Sequence, residues 1–506
     1  MTKGDQNIQA STAASGRAIG RRDFLRGAIG SGMLAALSFS GLTGCAPSQA
    51  NASEASDGGS FDVIVIGAGG AGMTAAMSAH DGGARVILLE KMAVAGGNTC
   101  FAEGGMNACC TKLQKEEGVE DSVDLFAADT FKGGHDLGNM DLIRYMCENS
   151  NAAIERLAER GMNLTKISTS GGASVPRIHR PEDGSAVGKY LVKHMCEQCA
   201  QRGVDAVTHM DVREILLGDD GAIAGVRAFD DRSGRLVDYH APAIVIAAGG
   251  FGANHEMLAQ YRPELREAVT TNQPGAQGDG IVLGQAVGGD VVDIEQIQVH
   301  PTVEQGTSIL LSEGIRGDGA ILVNADGNRF TDELLTRDVV SAAEWKQPGG
   351  WAYAVFDRKV YDENKSIKEK FEKKNLALSS DTLEGLCDLM GVDAANFAAT
   401  MEAYNGAIAD ETDDPFGRWK SRYPIDEAPF FAIKVAPGIH HTMGGLRIDT
   451  EARVLDAGGA PIPGLFAAGE VTGGIHGGNR LGGNAICDIN VFGHRAAESV
   501  LEFLGR

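Results

Sequence analysis

Phe61-Asp62-Val63-Ile64-Val65-Ile66-Gly67-Ala68-Gly69-Gly70-Ala71-Gly72 opens the folded part of this chain. Its first half ends in the apolar run Val63 to Ile66, bounded by glycine, as in a strand buried on both faces. Its second half is GxGxxG, and Ala71 onward reads as a helix. Gly67 makes the tight turn, Gly69 lets a pyrophosphate approach the backbone, and Gly72 lets helix and strand pack closely. The helix start then offers unpaired N–H groups to phosphate. A second strand, Arg85-Val86-Ile87-Leu88-Leu89-Glu90, ends on a carboxylate about twenty residues further on, where ribose hydroxyls are bound. Ala243-Ile244-Val245-Ile246-Ala247-Ala248 is a later strand of the same kind. The spacing predicts an α/β fold with a parallel, doubly wound sheet around a dinucleotide.

Glycine clusters continue beyond the ribose position. Gly96-Gly97-Asn98-Thr99 and Gly104-Gly105-Met106-Asn107 follow the second strand, Gly249-Gly250 follows the later one, and Ala467-Ala468-Gly469-Glu470 lies near the C-terminus. A nicotinamide fingerprint needs none of these, whereas an extended flavin lying across the domain does; FAD is the expected cofactor. The 506 residues suffice for two domains. Residues 60–294 and 440–506 are expected to form a Rossmann-like FAD-binding domain in two parts. Residues 295–439, with their mixed charged helices, are expected to be an inserted α+β capping domain. A formal net charge of −23 argues against nucleic acid and anionic membrane as partners.

Residues 1–44 read as an address. Arg21-Arg22-Asp23-Phe24-Leu25-Arg26 is a twin-arginine signature, and a weakly apolar, uncharged stretch follows. Leu42-Thr43-Gly44-Cys45 resembles a lipobox; lipidation of Cys45 and simple cleavage nearby both fit it. Residues 45–59, rich in Ala, Ser and Gly, read as a linker. The expected location is periplasmic or on the outer face of the cytoplasmic membrane, with membrane contact only through signal or lipid anchor. The later cysteines are scattered and form no disulfide framework. Cys196 and Cys199 sit in a helical pattern and read as buried helix-face residues. Ala200 follows them where haem attachment requires His, and no metal site or iron–sulfur spacing is evident.

Five islands carry the remaining chemistry: His300 in QVHPT, Glu313 and Arg316 in SEGIRGDGAILVN, Arg337 in LLTRD, His440 in HHTMGG and Arg480 in GGNRLGGNAI. Hydride reduction of a C=C bond needs an electron-poor alkene, so an adjacent carboxylate must be gripped by cations and strong donors. Arg suits that grip and His assists it. With these islands in this order around the glycine pattern, the chain from Phe61 onward resembles the soluble fumarate reductase flavoproteins, relatives of the succinate dehydrogenase flavoprotein.

The resemblance implies FAD contacts at Glu90, Asn98, Thr99, Gly104, Gly105, Gly249, Asp279, His441, Glu470, Ala485 and Ile486, besides Gly67, Gly69 and Gly72. It implies noncovalent FAD, because Cys100 and Phe101 stand where covalent relatives carry His; a cysteinyl flavin at Cys100 is the alternative. It assigns a substrate carboxylate to Arg480, His440 and His300, with Ser312, Gly105 and Gly483 beside them. Arg337 is then the proton donor, with Glu313 and Arg316 as the relay behind it. The implied reaction is hydride transfer to fumarate or another α,β-unsaturated carboxylate, fed by an external donor, a cytochrome. A ketosteroid-desaturase-like dehydrogenase and a noncatalytic flavin electron carrier are the competing readings. Glu103 departs from the family pattern and would repel a second substrate carboxylate. Leu310 and Leu311 are expected to make the adjoining wall aliphatic. His179 is expected to be structural or close to FAD.

Overall fold

The computed structural model describes residues 55–169, 171–364, 367–418 and 423–506. The twin-arginine segment, the lipobox-like end with Cys45, and most of the linker lie outside the described residues. The apolar run is a strand, Val63–Ile66, with every side chain buried. It pairs in parallel with Val86–Glu90 on one side and Ala243–Ile246 on the other. Ala206–Thr208 and Pro461–Ala467 extend the sheet in parallel, and Arg453–Leu455 closes one edge antiparallel. Helices Gly70–Asp81 and Asn484–Phe503 pack together beside it. This is the predicted dinucleotide sheet, completed by two strands and a helix from the far end of the chain.

A four-stranded sheet of Met210–Leu217, Ile223–Asp230, Arg235–His240 and Ser56–Ser60 lies next to it in sequence. The last of these corrects the linker assignment. Ser56–Ser60 is an edge strand running parallel to Arg235–His240. Its Ser and Gly residues bond through backbone, and a Cβ on Gly58 would come within 2.5 Å of the Tyr239 ring.

The inserted part is built on a second mixed layer. Ile297–Val303, Phe430–Thr442, Ala352–Phe356 and Ile321–Asn324 form its sheet in that order, and Ala377–Ser380 also pairs with Phe430–Thr442. Alternation sends Leu322, Ala354 and Phe356 into one apolar cluster and Ile321, Val323, Tyr353 and Val355 into another. Both faces of the sheet are therefore covered, the first by helix Arg337–Trp345 through Val340. The expected boundary between 439 and 440 falls inside strand Phe430–Thr442. That strand, still paired with Ile297–Val303 at His441 and Thr442, brings His440 and His441 to the wall of the cavity described next.

Candidate active site

One cavity of about 660 Å³ runs between the dinucleotide sheet and the inserted layer. At its nucleotide end Gly67 has φ +101, and a Cβ there would lie 2.4 Å from the Ala247 carbonyl oxygen. A Cβ on Gly72 would lie 1.8 Å from the Gly67 carbonyl oxygen, so only glycine lets turn and helix touch. Gly72 thus shapes the cavity without lining it, a correction to its expected contact role. Gly69, Gly104 and Gly249 line the cavity with nothing within 4 Å of where a Cβ would stand, leaving backbone open to a ligand. The N-cap residues of helices Gly70–Asp81 and Asn484–Phe503, Gly69 and Gly483, have no side chain to cap them, and Ala485 and Ile486 of the second helix are in the wall. Two uncapped helix starts suit phosphate and other electron-rich groups.

Glu90 is pinned by the N–H groups of Ala68 and Met92, each 2.8 Å from one of its oxygens. Thr99 accepts the Gly70 N–H at 3.1 Å, and Asn98 donates to Glu470 at 3.0 Å. Burial pushes the Glu470 carboxyl up, and His441 faces it at 3.4 Å. The His441 Nε2 has no hydrogen-bond partner among the described residues. Asp279 lines the cavity and is paired with Lys91. Open glycine backbone, uncapped helix starts and an orphaned imidazole nitrogen fit an extended dinucleotide, and the residues expected to hold FAD gather here.

The chemistry end lies where helix Arg337–Trp345 begins. Arg337 donates from Nε to Glu313 Oε2 at 2.8 Å, with its Nη2 2.7 Å from the same oxygen. Its Nη1 donates to Gln298 Oε1 at 3.0 Å. Gln298 in turn donates to the Asn479 side chain at 2.7 Å and the Arg480 carbonyl at 2.8 Å, tying the two arginine-bearing segments together. Gln298 belongs to no expected site, although strand alternation puts it on the face of His300. His300 takes the Thr302 N–H on Nδ1 at 3.2 Å and keeps Nε2 unpartnered. The rings of His300 and His440 lie 5.3 Å apart, and His440 Nδ1 is 2.8 Å from the Thr271 hydroxyl.

Burial, reinforced by the Arg337 charge, holds His300 and His440 well below the ordinary histidine range, so both are neutral donors at neutral pH. Burial and Arg337 also pull the Arg480 guanidinium down to about 9. Glu313 is raised by burial, but Arg337 and Arg316 outweigh that and hold its carboxyl below the usual range. Arg337 is thus ion-paired with Glu313, whereas Arg480 has no carboxylate within ion-pair distance among the described residues and feels Glu470 and Glu313 only at longer range. Such an excess of buried positive charge is costly until an anion enters.

Arg316 is fully buried behind Glu313 and does not line the cavity; its Nη2 is 3.8 Å from Glu313 Oε1. Ser312 lines the cavity and caps helix Glu313–Gly317 by accepting the Gly314 N–H at 3.2 Å. Gly105 and Gly483 line it where a Cβ would strike His179 O and Asn107 Oδ1 respectively. Leu310 is in the wall, but Leu311 points into the apolar core, which halves the expected aliphatic surface. Glu103 is not a bare charge: Lys370 of the inserted part pairs with it inside the cavity. No sequence signal links these two, which are 267 positions apart. His179 is structural, bonded to Thr111 at 2.9 Å and outside the cavity wall. The Cys199 thiol is buried and Cys196 half-buried on one helix, with no disulfide among the described residues.

Residues 62–486 match the family described as FAD binding domain. The chain belongs to this FAD-binding family. It is 49% identical over 444 residues to an NADH:fumarate oxidoreductase of Klebsiella pneumoniae, covering 87% of this chain and 48% of that protein. It is 41% identical to a fumarate reductase (cytochrome) of Shewanella frigidimarina, covering 87% and 77% of the two chains. The chain thus spans about half of the first relative and about three quarters of the second. Its fold superposes on the open conformation of a flavocytochrome c3 fumarate reductase with a TM-score of 0.76 and 41% identity, over 88% of this chain and 79% of that one. The architecture is that of this FAD-binding family, an FAD-binding part with a capping part.

Proposed function

We propose that this family member is a reductase that transfers hydride to a C=C bond beside a carboxylate, as in fumarate or a related unsaturated acid. The observation that carries the reading is the convergence of Arg337, Arg480, His300 and His440 on one cavity with Glu313 as the carboxylate among them. The names of the relatives, fumarate oxidoreductase and fumarate reductase, support the same class. FAD, when bound, supplies the hydride. Everything else falls to side chains. Arg480 and the neutral His440 and His300 bind the carboxylate and draw charge from the distal alkene carbon. His300 and Arg480 are buried, which strengthens their contacts with an anion. Arg337, oriented by Glu313 and Gln298, presents an N–H to the carbon that takes the proton. Lys370 offsets Glu103, so a second carboxylate on the substrate is admissible.

The flavin is noncovalent in this reading, with Cys100 in the cavity wall left as a thiol. Electrons come from an external donor; the relatives' names include both an NADH-linked and a cytochrome-linked enzyme. Residues 1–44 direct export by the twin-arginine route, with Cys45 as a lipid anchor on the outer face of the membrane. A panel of oxidants tests the activity. Viologen-reduced holoenzyme is reoxidised by fumarate, acrylate or urocanate and ignores enones lacking a carboxylate; preference for the enones would overturn the reading.

A further inference from the structure

Helix Arg337–Trp345 buries a polar stripe. Arg337, Ser341 and Glu344 are at i, i+4 and i+7, on one face, and all three are buried. Seven residues at the helical rise carry this stripe about 10 Å inward from the cavity. Helix Glu313–Gly317 meets the first turn of Arg337–Trp345 through the Glu313–Arg337 pair, with Arg316 three positions beyond Glu313 and Ile315 in one apolar cluster with Val340. Glu344 and Arg316 are both 0% exposed. No side chain hydrogen-bonds Glu344, whose polar neighbour is the Ala352 backbone, and neither Nε of Arg316 nor the Ser341 hydroxyl has a hydrogen-bond partner among the described residues. An apolar side chain would fill the position of Glu344 without stranding two oxygens, so retention of a carboxyl there calls for a role.

Resting on the reading above, we propose that Glu344 is the proton store of the relay, discharging through Arg316 and Glu313 to Arg337. It is a positioning residue that never touches substrate. In the resting state Arg337 and Arg316 are cationic, Glu313 is anionic and Glu344 is protonated. Burial raises the Glu344 carboxyl well above the ordinary range, outweighing the pull of Arg316 and the Ala352 backbone. As Arg337 gives an N–H proton to the substrate carbon, Glu313 passes one from Arg316 to Arg337. Arg316 recovers its proton as the Glu344 O–H bond breaks. Hydride and one proton have then entered the alkene, and of the four groups only Glu344 has changed charge. The arrangement resolves the difficulty of an arginine acid, because the net donor is a carboxylic acid and no neutral guanidine persists. Glu344 and Arg316 stand beyond ion-pair distance, yet each acts on the other's ionisation through its charge. Trp345 and Trp351, the chain neighbours of Glu344 and Ala352, line a second cavity of about 770 Å³, which Glu344 itself does not reach.

The test compares wild-type holoenzyme with Glu344→Gln and with Glu344→Leu, an apolar filler that needs no hydrogen bonds. Flavin content and melting temperature verify folding. Infrared spectra of the wild type contain a protonated-carboxyl band that both variants lack. With fumarate or acrylate, kcat falls on the order of 10²-fold while KM stays near the wild-type value, and the solvent isotope effect on kcat rises. Glu344→Asp regains the band and part of the rate. Wild-type turnover accompanied by an unchanged kcat and isotope effect in the variants overturns the proposal alone, as does an unchanged infrared band. A wild type inert to every acid defeats the proposed function, and this store with it.

Discussion

Arg480 has a guanidinium that burial and Arg337 draw down to about 9, inside a measurable range. Its charged form grips the carboxylate, so kcat/KM for an unsaturated acid should hold below that value and fall as pH rises through it, read from a pH profile of the free enzyme. Lys370 makes a second claim at this scale. Replacing it by Met leaves Glu103 as an uncompensated carboxylate in the cavity. The KM for dianionic fumarate should then rise severalfold more than that for monoanionic acrylate; steady-state kinetics with the two acids checks it. The sequence already pointed to Arg337, Glu313, His300, His440 and Arg480, because each stands in a short island whose chemistry is recognisable. It could not point to the Glu103–Lys370 pair, because a contact between distant side chains exists only after the two layers meet. Gln298 was accessible by counting two residues back from His300 along a strand.

Val63–Ile66, Val86–Glu90 and Ala243–Ile246, three of the six strands of the dinucleotide sheet, were legible because burial on both faces leaves a continuous apolar run, and the glycines that follow admit few alternatives. Ser56–Ser60 was not, because an edge strand held by backbone bonds needs no apolar pattern, and its Ser and Gly composition is also that of a linker. Strand Phe430–Thr442 hid the expected domain boundary, since one continuous strand of the inserted sheet runs through it to the cavity wall with no break in sequence. Gly72 supplies the sharpest prediction for an element. A methyl group there meets backbone at 1.8 Å, and backbone cannot swing aside as a flexible side chain can. Gly72→Ala should cost about 1–3 kcal/mol through overpacking. It should also lower flavin retention, both read by melting and by the flavin content of purified protein.

Across the whole molecule, two layers far apart in sequence enclose one cavity, and FAD bridges the glycine turn and the cationic cluster in this reading. Ligand that binds only the folded state stabilises it, by about 2.7 kcal/mol at a hundredfold excess over Kd. Added FAD should therefore raise the melting temperature of flavin-depleted protein, and acid denaturation should release all flavin into the supernatant if Cys100 forms no bond to it. The decisive measurement is anaerobic rapid mixing of reduced holoenzyme with fumarate, comparing wild type with Arg337→Ala. The account predicts that wild-type flavin is reoxidised with one succinate formed per flavin, and that the variant is on the order of 10²–10⁴ slower. Wild-type flavin that stays reduced with fumarate and related acids, or an Arg337→Ala variant as fast as wild type, would contradict it.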